Sequence, residues 1–150
     1  MLATEATDLV PVLQTAIGPV VMVSGVGLLL LTMTNRLGRV VDRSRSLARE
    51  VREATSDKKG PIQAQLRILK QRAELIRRAI ACASFCVLFA AILVISLFVT
   101  ALVDVDIPWL VATLFILSMA CLIASMVYFI RDVNKALVAT RIDVGEDWED

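Results

Sequence analysis

Histidine is absent from this chain of 150 residues. Its absence removes the usual general base near neutral pH and the common zinc and haem ligand sets. No glycine-rich loop able to cradle a phosphate is present either: Gly25 and Gly27 sit inside an apolar run, where they read as packing glycines. Aromatic residues make up only 5% of the chain and none falls between Asn35 and Arg78, so the basic segment there has nothing to stack on bases. Its cations are also interleaved with Glu and Asp, a second argument against nucleic acid as a partner. Only three cysteines occur. Cys82, Cys86 and Cys121 lie among Ala79, Ala83, Ala90, Ala120 and Ala124 at the same helical spacing, and read as small residues filling helix contacts. Neither a disulfide nor a bound metal is expected, nor any cofactor.

The most informative absence is of charge. From Leu9 to Asn35, from Ala79 to Val103 and from Ile107 to Ile130 there is no Asp, Glu, Lys or Arg. Each stretch exceeds the roughly 20 apolar residues that a spanning helix requires. A mean hydropathy of +0.73 and an apolar content of 57% fit a chain half embedded in lipid. The expectation is a single all-α integral membrane domain over 1–150 with three transmembrane helices. The lack of charge inside the spans weakens an ion-coupled transporter, as does the lack of an internal repeat. No set of residues suited to catalysis gathers at one membrane depth, so an enzyme is not expected.

Charge is segregated along the rest of the chain. Between Asn35 and Arg78 there are 13 Lys and Arg against five acids, Asp42, Glu50, Glu53, Asp57 and Glu74. Glu5, Asp8, Asp104 and Asp106 lie at the opposite ends of the spans with no Lys or Arg beside them. The positive-inside rule then puts the N-terminus outside and the basic segment and C-terminus in the cytoplasm. Arg36, Arg77, Arg78 and Arg131 adjoin the inner span ends and are candidate anchors for lipid headgroups, including anionic ones. Trp109 suits the outer interface and Tyr128 the inner one. The first stretch is too long for a signal peptide, has no basic leader and ends in Asn35-Arg36, so it is read as a retained helix. Asp8 is its expected cap, and Gly18-Pro19 should either kink it or split off a short interfacial helix; the kinked form leaves the longer span. The Asp104 to Asp106 link is expected to be a solvated tight turn.

Helical periodicity continues past the first span. Leu37, Val40, Ser44, Leu47, Val51 and Ala54 recur at spacings of three and four, as do Ile62, Leu66, Leu69, Ala73, Ile76 and Ile80. Two arms of about 20 residues, each about 30 Å long, are expected to form a cytoplasmic antiparallel coiled-coil hairpin over 36–78, turning at Gly60-Pro61. No breaker separates either arm from its span. An acidic tail, 142–150, then either folds back on the basic hairpin or stays solvated.

The first helix carries a second stripe on the side nearly opposite that seam: Gln14, Gly18, Val21, Gly25, Leu28, Thr32, Asn35, Arg39 and Asp42. The seam itself runs back through Met33, Leu30, Val26 and Val23. A helix in lipid exposes Leu and Val at little cost, so a small and polar stripe implies another helix or water. Two readings follow. The stripe is an interface in a homo-oligomer of structural or regulatory kind, whose hairpins present a docking surface to a cytoplasmic protein. Alternatively it lines the pore of an oligomeric ion channel.

The run from Ala16 to Arg43, above all Ser24-Gly25-Val26-Gly27 followed by Thr34-Asn35-Arg36 and Asp42-Arg43, resembles the opening of a bacterial membrane family known as domain of unknown function 2721. The likeness covers most of the chain. It implies a bacterial cytoplasmic membrane and a three-helix fold, and carries over no catalytic residue.

Overall fold

The computed structural model describes the backbone at residues 2–53, 56–103 and 107–145, and side chains at 14–53, 59–60, 62–103 and 107–136. Three helices account for nearly all of it: α1 (Leu2–Glu53), α2 (Ser56–Val103) and α3 (Pro108–Gly145). Each is long and apolar enough to cross a membrane. Only 17% of the most apolar window of each helix is buried within the chain, so most of that surface needs lipid or another protein to cover it.

The helix boundaries correct three expectations. α1 begins at Leu2 rather than near Leu9, so Asp8 lies inside the helix and is not its cap. Ala3, Glu5 and Ala6 are good helix formers, and an acid in the first turn favours the helix dipole, so the helix does not wait for the apolar run. α1 also passes Gly18-Pro19 without interruption, which excludes the separate interfacial helix. Proline removes one N–H from the ladder, and a long helix sustained on both sides tolerates that loss. Finally, α2 is already helical at Ser56, so Gly60 and Pro61 lie in its first two turns and are not the turn between the arms; residues 54–55, which join α1 to α2, lie outside the described residues. Near a helix start a proline costs at most one hydrogen bond.

By its contacts the chain divides into two compact units, Met1–Leu30 with Cys82–Ala124 and Leu31–Ala81 with Ser125–Asp150. The first unit has an apolar centre. Val26, Ala83 and Cys86 form its centre, with Met22, Leu30, Val87, Cys121 and Leu122 packed around them. The small side chains at 83, 86 and 90 let neighbouring helices approach, and the hydroxyl of Ser118 donates to the Cys86 carbonyl at 3.0 Å. Cys86 Sγ lies 3.4 Å from the same hydroxyl. In hydrocarbon each hydroxyl needs a partner; those of Ser24 and Thr113 donate to carbonyls one turn back on their own helices.

The second unit contains the charged segment. Met33, Val40, Ile76 and Ala79 are its buried centre. Every described residue of the two periodic seams, from Leu37 to Val51 on α1 and from Ile62 to Ile80 on α2, is buried or half-buried. A third helix joins them. α3 runs beyond Ile130 to Gly145 and supplies Met126, Tyr128 and Phe129 to the same core. The Ser125 hydroxyl closes the contact by donating to the Ala79 carbonyl at 2.8 Å. Residues 146–150 of the acidic tail lie outside the described residues.

Candidate functional site

Two arrangements stand out, one exposed and one buried. The exposed one is the α1 stripe. Gln14, Gly18, Val21, Gly25, Leu28, Thr32, Asn35, Arg39 and Asp42 are all exposed, while Val26 and Met33 on the other side are buried. Val21 retains 65% and Leu28 69% of its surface, so both side chains are left largely uncovered within the chain. A methyl group built onto Gly18, Gly25, Gly27 or Gly38 would meet nothing within 4 Å. None of these glycines is needed for packing inside the chain. Glycine in a helix interior costs about 0.5–1 kcal/mol relative to alanine, and folding of the single chain gives no return for that cost. Arg39 and Asp42, at the end of the stripe, make no ion pair among the described residues.

The buried arrangement belongs to the second unit and draws one residue from each helix. Asp132 of α3 is fully buried, and both its carboxylate oxygens are occupied. Arg36 Nη2 of α1 donates to Oδ2 at 3.0 Å, and Arg72 Nε of α2 donates to Oδ1 at 3.3 Å. The Arg36 guanidinium also lies over the Phe129 ring, 5.2 Å from its centre. The arginine side chains keep 27% and 18% of their surface, so the anion is enclosed while its two cations reach toward solvent. With two cations and one anion, the cluster carries a net charge of +1.

Arg36, expected at the headgroups, thus engages a buried acid. Arg77 and Arg131 are exposed, and Arg78 pairs with Glu74 one turn away at 3.2 Å. Asp132 escaped the sequence reading because an acid two residues past an apolar stretch reads as solvated. A signal was present: Ser118, Ser125 and Asp132 repeat at intervals of seven along α3, and all three are fully buried. Among the described residues no group of His, Cys, Asp or Glu is arranged to hold a metal ion.

Three helices long and apolar enough to cross a membrane, covering little of one another's lipid-length surface, suggest a multi-pass membrane protein. The chain belongs to the family described as Protein of unknown function (DUF2721), whose model matches residues 16–142. That match spans both the ion cluster and all of the stripe beyond Gln14. No curated protein and no solved structure matches the chain.

Proposed function

We propose that the protein is a homo-oligomer of the bacterial cytoplasmic membrane, without enzymatic activity, in which α1 meets α1 of neighbouring copies through the Gln14 to Asp42 stripe. The N-terminus is outside and the charged unit faces the cytoplasm, where its helical hairpin presents a docking surface to a protein partner. The arms pair as an antiparallel coiled coil, with the bilayer around the spans and anionic lipid at Arg77 and Arg131.

The observation that carries this reading is the set of α1 glycines with no role inside the chain. Gly18 and Gly25 are seven residues apart on one exposed face, and small residues at that spacing let two helix backbones approach closely in lipid. A second copy of the same helix is the partner whose shape matches, because the surface is then self-complementary. Gly25→Leu tests it by native mass spectrometry in nanodiscs: the wild type runs as an oligomer and the variant as a monomer. An unchanged mass for the variant removes the stripe from the interface.

A pore is the second reading, favoured by Gln14, Thr32 and Asn35, which put side-chain amides and a hydroxyl on a face that a lipid contact would leave apolar. It requires enough copies of α1 to enclose water. In that case a bulky residue at Gly25 changes ion flux into liposomes while the oligomer persists.

A further inference from the structure

Outside the stripe and the Asp132 cluster, the second unit has a groove between α2 and α3 whose chemistry neither arrangement uses. It is open to solvent, has a volume of about 510 Å³, and is lined on α2 by Arg67, Lys70, Gln71 and Leu75 and on α3 by Lys135. Glu74 and Arg78 complete the wall and satisfy each other at 3.2 Å. Among the described residues Arg67, Lys70 and Lys135 have no carboxylate within ion-pairing distance. Three uncompensated cations from two helices therefore converge on one hollow, with the Gln71 amide as a further donor.

The α2 residues of the wall recur at spacings of three and one, so they form one continuous helix face. That face begins at Arg78, which adjoins the apolar stretch starting at Ala79. Lys135 is five residues past Ile130, about 7 Å along α3. The Ala79–Ser125 and Arg72–Asp132 contacts set Lys135 level with Lys70 on the facing helix, and the polar layer of a bilayer is about 5–8 Å deep on each side, so this Lys70 and Lys135 level lies at its outer edge when α3 spans as far as Ile130. Basic pockets between helices at this depth suit phosphate headgroups.

We propose that this groove binds the phosphate of an acidic phospholipid headgroup, with Lys135 and Lys70 as its cations and Arg67 extending the positive field outward. The assignment rests on the reading of α2 and α3 as membrane spans. It differs from simple anchoring by exposed arginines because the cations line one hollow from two helices.

The test is native mass spectrometry of the full chain in phosphatidylcholine nanodiscs doped with cardiolipin, comparing three proteins. The groove variant combines Arg67→Gln, Lys70→Gln and Lys135→Gln and leaves the Glu74 to Arg78 pair intact. The control removes three exposed cations elsewhere, by Arg43→Gln, Arg45→Gln and Arg49→Gln. Cardiolipin should stay bound to the wild type and the control, and bind the groove variant about a hundredfold more weakly, at about fivefold for each lost cation. Equal loss in the control would make the effect one of general surface charge and overturn the site. Saturation of the groove by inorganic pyrophosphate in undoped nanodiscs, together with displacement of cardiolipin by pyrophosphate in doped ones, would overturn the lipid assignment in favour of a soluble phosphate compound. Carbonate extraction of cells expressing each protein separates the two levels: a chain that leaves the membrane fraction defeats the spanning reading itself, whereas a retained chain without cardiolipin selectivity defeats only the groove.

Discussion

Asp132 concentrates more structural consequence than any other single residue described. A buried carboxylate is costly unless paired, and here each oxygen has its own guanidinium, delivered by a different helix. Asp132→Asn keeps the shape and removes the charge, leaving Arg36 and Arg72 facing each other. Because both arginines reach solvent in part, the expected cost is about 2 kcal/mol, below the 3–5 typical of a fully enclosed pair. Thermal unfolding in detergent measures it, and adding Arg36→Gln to Asp132→Asn should cost less than the sum of the two single changes. A strictly additive result would show that the pair is not coupled. Composition could not reveal this cluster, since what marks Asp132 is its place seven residues after Ser125 and fourteen after Ser118 on a buried face of α3, not its neighbours in sequence. Arg36 was legible as a residue at the end of a span, but not as a ligand of an acid on a helix 96 residues away.

At the scale of the element, periodicity was the reliable guide and punctuation was not. The seam on α1 and its opposite stripe were both readable from spacings of three and four, and burial separates them: Met33 and Val40 are enclosed, Leu28 and Arg39 exposed. The third helix's extension was less readable, because past Ile130 charged and polar residues interrupt the apolar run while the backbone continues to Gly145. Gly60-Pro61 misled for a physical reason. Those residues favour turns in short-range statistics, yet at a helix start glycine costs only entropy and proline only one bond. Gly60 is exposed and a methyl group there meets nothing. Gly60→Ala is therefore expected to stabilise the protein by about 0.5–1 kcal/mol, read as a higher melting temperature with unchanged oligomeric mass. A drop in melting temperature would mean that the residue sits in a true turn after all.

For the whole molecule, the decisive property is direction across the membrane, which follows from charge rather than from packing. Thirteen cations lie between Asn35 and Arg78, and only acids flank the far ends of the spans. The positive-inside rule predicts that this basic segment stays on the cytoplasmic side. A cysteine placed at Arg45, an exposed site of the charged unit, reports the outcome directly once the three native cysteines are replaced by alanine or serine. In intact bacterial cells Arg45→Cys should resist a membrane-impermeant maleimide and react after the cells are opened, whereas Thr4→Cys should react in both. Labelling of Arg45→Cys in intact cells would invert the topology, and with it the side on which the hairpin meets a partner and the leaflet that supplies a phosphate to Lys70 and Lys135. The proposed α1 contact would survive such an inversion, because two parallel copies of one helix meet through Gly18 and Gly25 whichever way they point.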